Sequence, residues 1–259
     1  GNSIETAEAY WDRANFNEYT SHLDSSYFYF IKAFEIFEGF GDQKHAASML
    51  YSAGVVQRNL KDYIGGEVTT IDAIRIYENL NDNRGLYKCC NSLGIIHNNL
   101  NNFELSLSYH SIALEKAKEM SDLNLIAASK NNLAVVYREH HDYEESVRLA
   151  KEGLQWDSIY QKDRELYARL VDNLAYSQFK LKKTGKEIFD ALEDARAIRD
   201  SLGDESGLSV SNIHIGEYHI ENGNIFRAKA ILRDELIHAK KNSSASDLIH
   251  ALDLLGQID

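Results

Sequence analysis

The chain has 259 residues, 44% hydrophobic and 26% charged, an ordinary composition for a folded protein. Forty acidic residues against 28 basic leave a formal net charge of -12, which repels nucleic acid and anionic lipid headgroups. No run of about 18 apolar residues is present to span a bilayer, and proline is absent, which suits many helices joined by short turns.

Residues 1–41 read as a first helical hairpin around Ala14. Its second helix carries Tyr27, Phe28, Tyr29, Phe30, Phe34, Phe37 and Phe40, more rings than one buried face needs. Core packing takes about half of them by helical spacing. The surplus reads either as further core or as a surface covered by another helix or a second subunit, a homodimer through Tyr27–Phe40.

The second hairpin, 42–81, opens at Asp42 and turns at Asn59-Leu60-Lys61-Asp62. The third, 82–121, opens at Asp82 and turns at Asn99-Leu100-Asn101-Asn102. It holds Cys89 and Cys90, the only cysteines, which as helix neighbours do not form an ordinary disulfide and read as small buried residues. The fourth, 122–162, opens at Asp122 and turns at Glu139-His140-His141-Asp142. The fifth, 163–203, opens at Asp163. The sixth, 204–243, opens at Asp204 and turns at Glu221-Asn222-Gly223-Asn224. A terminal helix, 246–259, begins a seventh unit.

One register underlies this division. Small residues recur at Ala14, Gly54, Gly94, Ala134, Ala175, Gly216 and Gly256, at intervals of 40 or 41. Nine residues later stands a large or apolar residue, Leu23, Tyr63, Phe103, Tyr143 and Ile225, with Thr184 the exception. Twelve residues earlier stands an aspartate in five units, the residue type whose carboxylate accepts the orphan amides of a helix's first turn. Each unit therefore reads as cap, helix A, turn, helix B. A hairpin cannot bury its apolar face alone, so the expectation is an all-α chain, residues 1–259, of six stacked hairpins and a terminal helix sharing one core.

The segment Asn91-Ser92-Leu93-Gly94 with Phe103 and Ala113, and Asn131-Asn132-Leu133-Ala134 with Tyr137 and Tyr143, resemble the tetratricopeptide repeat. The period of 40 and the missing terminal proline depart from the common 34-residue form and match its extended branch. That resemblance implies a right-handed α-solenoid whose A helices line a concave surface. In the second half, the run Asp172–Leu181 followed by Ala197–Asp204 is similar to the sensor region of bacterial membrane-anchored histidine kinases and helix-turn-helix regulators. The implied role is the input region of a signal-transduction protein. The alternative is a free-standing adaptor that assembles complexes. The first implies an extracytoplasmic site if a membrane anchor exists; otherwise the expected site is the cytoplasm.

No phosphate loop, HExxH, CxxC or nucleophile elbow occurs, so no enzyme and no cofactor are expected. His140 and His141 beside Asp142 read as a solvated turn rather than a metal site. His97 and His219 occupy the repeat's tyrosine position and read as packing residues. The candidate ligand-binding residues lie on helix A. They are Tyr51, Arg58 and Asn59; Lys88, Asn91 and Asn98; Asn131, Asn132 and Arg138; and Arg169, Asn173, Tyr176 and Lys180. Asparagine can both donate to and accept from an extended peptide backbone, and arginine and lysine hold carboxylates. The expected partner is therefore a peptide or protein segment, acidic in character. Glu139 and Asp172 are the only acidic residues expected inward in those units.

Overall fold

The computed structural model describes residues 3–156, 158–182, 185–241 and 245–258. Among them are fourteen helices and no strand. In A and B pairs they run α1 (Ile4–Tyr19) and α2 (Leu23–Gly39), α3 (Gln43–Asn59) and α4 (Tyr63–Leu80), α5 (Asn83–Asn99) and α6 (Phe103–Glu119). There follow α7 (Leu123–Glu139), α8 (Tyr143–Gly153) and the short α9 (Ser158–Lys162). Then come α10 (Arg164–Lys180) and α11 (Lys186–Leu202), α12 (Glu205–Glu221) and α13 (Ile225–Lys241), and finally α14 (Ala245–Gly256). Thr184, the one departure from the register, and Asp259 lie outside the described residues.

All five aspartate caps form. Asp42 accepts from the His45 amide, Asp82 from Arg84 and Gly85, Asp122 from Asn124 and Leu125, Asp163 from Leu166 and Asp204 from Gly207. Each such bond satisfies an orphan donor of the first turn. Asp62 and Asp142 do the same for α4 and α8.

The links between helices are equally regular. After α3, the Lys61 amide donates to the Arg58 carbonyl and the Asp62 amide to the Gln57 carbonyl. This pair of bonds is a Schellman ending. Lys61 sits at φ 64, and Asn81, Asn101, Ser121 and His141 hold the same left-handed place in the following links. Glycine takes it at Gly41, Gly203 and Gly223. The residue after the left-handed one is the cap of the next helix, so two or three residues stop one helix and start another.

The contacts divide the chain into two compact units, Gly1–Ser129 and Lys130–Asp259. In the first, Ala14, Phe30, Ala33, Phe37, Met49 and Ala53 form one core, continued by Leu50, Ala73, Tyr77 and Cys89. In the second, Phe179, Ile188, Leu192 and Ile215 pack together, as do Ile213, Leu232, Ala251 and Leu255.

The small residues of the register permit close helix approach. A Cβ on Gly54 would lie 2.5 Å from Thr70 Oγ1 and 3.2 Å from the Gly66 carbonyl. Twelve residues after the small residue, helix B is anchored by a buried hydroxyl: Ser26 donates to the Ala14 carbonyl at 3.0 Å and Ser106 to the Gly94 carbonyl at 2.9 Å.

The aromatic run divides. Phe30 and Phe37 enter the core, and Tyr27, Tyr29 and Phe34 pack half-buried against it. Phe28 and Phe40 remain exposed, at 52% and 53%. Cys89 and Cys90 are buried free thiols, and burial raises both pKa values, that of Cys90 to about 11, leaving them protonated and unreactive.

Candidate functional site

In the first unit, the A helices bring most of the expected residues to one face. Arg58 donates to Ser92 Oγ at 3.2 Å and to Asn59 Oδ1 at 3.4 Å. The Lys88 ammonium stands 5.8 Å from the centre of the Tyr51 ring. Asn59 and Lys88 are exposed; Tyr51, Arg58, Asn91 and Asn98 are half-buried. Glu18, in the same register on α1, is desolvated, which raises its pKa against the attraction of Arg58.

In the second unit, the expected residues are tied into a layered network. Asn131 is fully buried and Asn173 almost so, and Asn173 Nδ2 donates to Asn131 Oδ1 at 2.9 Å. Asn173 Oδ1 in turn accepts from Arg138 Nη1 at 2.7 Å. Arg169 donates to Asn132 Oδ1 at 3.1 Å. The two buried asparagines support Arg138 from beneath.

Asp172, expected to face inward, is instead fully buried. Its Oδ2 lies 2.8 Å from His214 Nδ1, its Oδ1 accepts from Ser211 at 3.2 Å, and Arg199 Nη1 stands 3.6 Å away. Burial opposes its charge, but His214 and Arg199 outweigh that and hold the carboxyl below the usual carboxylate range. Tyr176 stacks on His214, ring centres 3.7 Å apart.

Lys180 is neutralised within the fold. Its ammonium donates to Glu217 Oε2 at 2.8 Å and Glu221 Oε1 at 3.2 Å, and Tyr176 also donates to Glu217 Oε2, at 2.7 Å. Burial works against ionisation of Glu217, yet hydrogen bonds from His250, Lys180 and Tyr176 hold its pKa down to about 2. Sequence reasoning missed Glu217, Glu221 and His214. The first two occupy, one unit later, the inward positions one and five residues after the small residue Gly216, so the register itself pointed to them.

Arg138 separates two clefts. One, of about 340 Å³, is walled by Tyr143, Tyr176, Val210, Ile213, His214 and His250. The other, of about 420 Å³, is walled by Val135, Glu165, Arg169, Asn173, Arg199 and Ser206. Arg138 and Glu139 line both, with Glu139 Oε1 3.5 Å from Arg138 Nη2. Apolar, aromatic and charged surface thus meets in one open trough, where His141 Nδ1 also lies 3.0 Å from the Tyr143 hydroxyl. Among the described residues no group of three or more histidine, cysteine or acidic side chains is placed to hold a metal. No described helix is long and apolar enough to cross a membrane.

Residues 126–155 match the family model described as tetratricopeptide repeat. One tetratricopeptide repeat is thus matched by sequence. No curated protein matches the sequence. Among solved structures, the fold is similar to that of the apo form of RapI, at 14% identity and TM-score 0.76, over 95% of this chain and 87% of that one. It is similar to the Rap conjugation gene regulator of plasmid pLS20 in complex with the Phr* peptide, at 14% identity and TM-score 0.68, over 96% and 73%. A third is the signal transduction ATPase with a tetratricopeptide repeat sensor from Pyrococcus horikoshii, at 17% identity and TM-score 0.65, over 99% and 39%. These likenesses show a tetratricopeptide-type α-solenoid fold, and the match at 126–155 covers most of α7, the turn after it and α8.

Proposed function

We propose that the chain is a non-catalytic peptide- or protein-binding tetratricopeptide domain, and that its second unit takes an acidic segment along the A helices α7, α10 and α12. One observation carries the reading. In a chain of net charge -12, Arg138 and Arg169 line adjoining clefts while their short hydrogen bonds go to neutral amide oxygens, Asn173 and Asn132. A guanidinium so held keeps its charge for a ligand carboxylate. The Rap regulator of similar fold is described in complex with a peptide, which supports a peptide as the ligand class.

The wider role that fits is the input region of a bacterial signalling protein, histidine kinase or transcriptional regulator, and the fold shared with a repeat sensor supports it. The second reading is a free-standing adaptor. A library of acidic and neutral ten-residue peptides, titrated by calorimetry at low and physiological salt, tests the binding. Acidic members should bind more tightly, and salt should weaken them by screening. Changing Arg138 and Arg169 together to glutamate should abolish the preference. An unchanged preference in that variant moves the site to another face.

A further inference from the structure

The A-helix network contains a chain of donors and acceptors that has only one consistent assignment. Ionised Asp172 can only accept hydrogen bonds, and the Arg138 guanidinium can only donate. His214 lies between them, with Nδ1 2.8 Å from Asp172 Oδ2 and Nε2 3.3 Å from Arg138 Nη1. Its imidazole must therefore be neutral, with the proton on Nδ1 given to Asp172 and Nε2 accepting from Arg138. Asn173 Oδ1 accepts from the same Nη1 at 2.7 Å. Both hydrogens of Nη1 are thus committed, and the guanidinium is fixed in one orientation between the clefts.

We propose that His214, locked by Asp172, is a positioning residue that aims Arg138 at anionic groups in the trough, so that the trough loses anion affinity as His214 takes up a proton. The proposal rests on the reading of this trough as an acidic-segment site. A protonated His214 would turn an N–H toward a guanidinium that is itself only a donor. The contact becomes repulsive, and Arg138 must leave its place.

The charged and titratable groups facing His214 come from five helices: Asp172 and Tyr176 on α10, Arg138 on α7, Arg199 on α11, Glu217 on its own α12 and His250 on α14. Burial and Arg138 disfavour the imidazolium; Asp172 and Glu217 favour it. The balance falls on the neutral form, with the pKa below the ordinary histidine value. The working window therefore lies below about pH 6.5.

The test uses the full chain and an acetylated pentapeptide of cysteic acid, whose sulfonates stay ionised throughout. Nitrogen-15 spectra of the imidazoles at pH 7.5 should show His214 protonated at Nδ1 and bare at Nε2, with a slowly exchanging Arg138 Nη1 signal. Both signatures should vanish together on acidification below about pH 6.5, and probe affinity should fall about tenfold or more from its pH 7.5 value to the pH at which they are lost. His214→Ala should bind weakly and should lose the fall in affinity with acid. His214→Gln should recover part of the affinity, because its amide oxygen can accept from Arg138, and should also lack that fall.

A proton on Nε2 at pH 7.5, a pH profile unchanged in the His214 variants, or affinity that rises with acid would each overturn the proposal. Failure of the probe to bind the parent at any pH would overturn the acidic-segment reading instead. In that event the imidazole and guanidinium spectra still decide whether His214 aims Arg138.

Discussion

A Cβ on Gly94 would lie 2.6 Å from the imidazole of His110, sixteen residues on in helix B of the same repeat. The ring takes the space that a side chain on helix A would need, and His110 is itself 2% exposed. Gly94→Ala should therefore destabilise by about 1–3 kcal/mol through overpacking, reduced by the roughly 1 kcal/mol that alanine gains over glycine in a helix. Urea unfolding of the single variant and of Gly94→Ala with His110→Ala would check this. The double variant should lose less than the sum of the two.

His110 also predicts acid sensitivity. Burial lowers its pKa from 6.5 to about 4, so the folded state holds the neutral ring while the unfolded chain protonates first. The stability is whole above pH 6.5 and is lost as pH falls through 6.5 toward 4. The loss should approach roughly 3 kcal/mol, at 1.36 kcal/mol for each pKa unit. His110→Leu should flatten that part of the stability profile, measured by denaturant titration from pH 7.5 to 4. A profile as steep as the parent's would assign the acid sensitivity to other groups.

The caps give a second stability test. Asp82→Ala and Asp122→Ala should each cost about 0.5–2 kcal/mol. Asp122 also holds Arg84 at 2.9 Å, but Arg84 is well exposed, so that pair adds at most about 1 kcal/mol. Arg84→Ala measures the pair by itself. If both aspartate variants unfold at the parent's denaturant concentration, these side-chain bonds do not stabilise the helices.

Phe28 and Phe40 are what the aromatic run leaves for association. Phe30→Ala should cost about 3–5 kcal/mol, as a core truncation. Phe28→Glu should change stability by no more than about 0.5 kcal/mol, as a surface change, and should weaken any self-association through this face. Light scattering across a wide concentration range reads the second effect. A parent that stays monomeric at the highest concentration retires this face as a homodimer contact.

The register of small residues and aspartates made the helix order legible, because caps and close approaches are local demands that each repeat meets with the same residue type. Asp42, Asp82 and Asp204 cap where their spacing places them. Arg138 and Arg169 were legible as inward cations for the same reason. Burial was harder to read. Asp172 shares its stretch of helix with Arg169 and Asn173, yet it is fully buried while they lie at a cleft wall. What decides this is the two helices that follow: Arg199 of α11 and Ser211 and His214 of α12 close over Asp172, from positions 27 to 42 residues away in sequence. Helical periodicity carries no information about such partners. The partners of Lys180 were hidden in the same way, since Glu217 and Glu221 meet it from the next A helix.

The short links have a bearing on how such a chain changes length. Asn81-Asp82 and Ser121-Asp122 are the same device, a left-handed residue followed by a capping aspartate. Deleting residues 82–121 would join Asn81 directly to Asp122 and recreate it without a scar. Duplicating that stretch would do likewise, since Ser121 would then precede a second Asp82. A genetic exchange that respects the 40-residue frame thus meets a ready-made splice at every repeat boundary built this way, whichever copy is gained or lost.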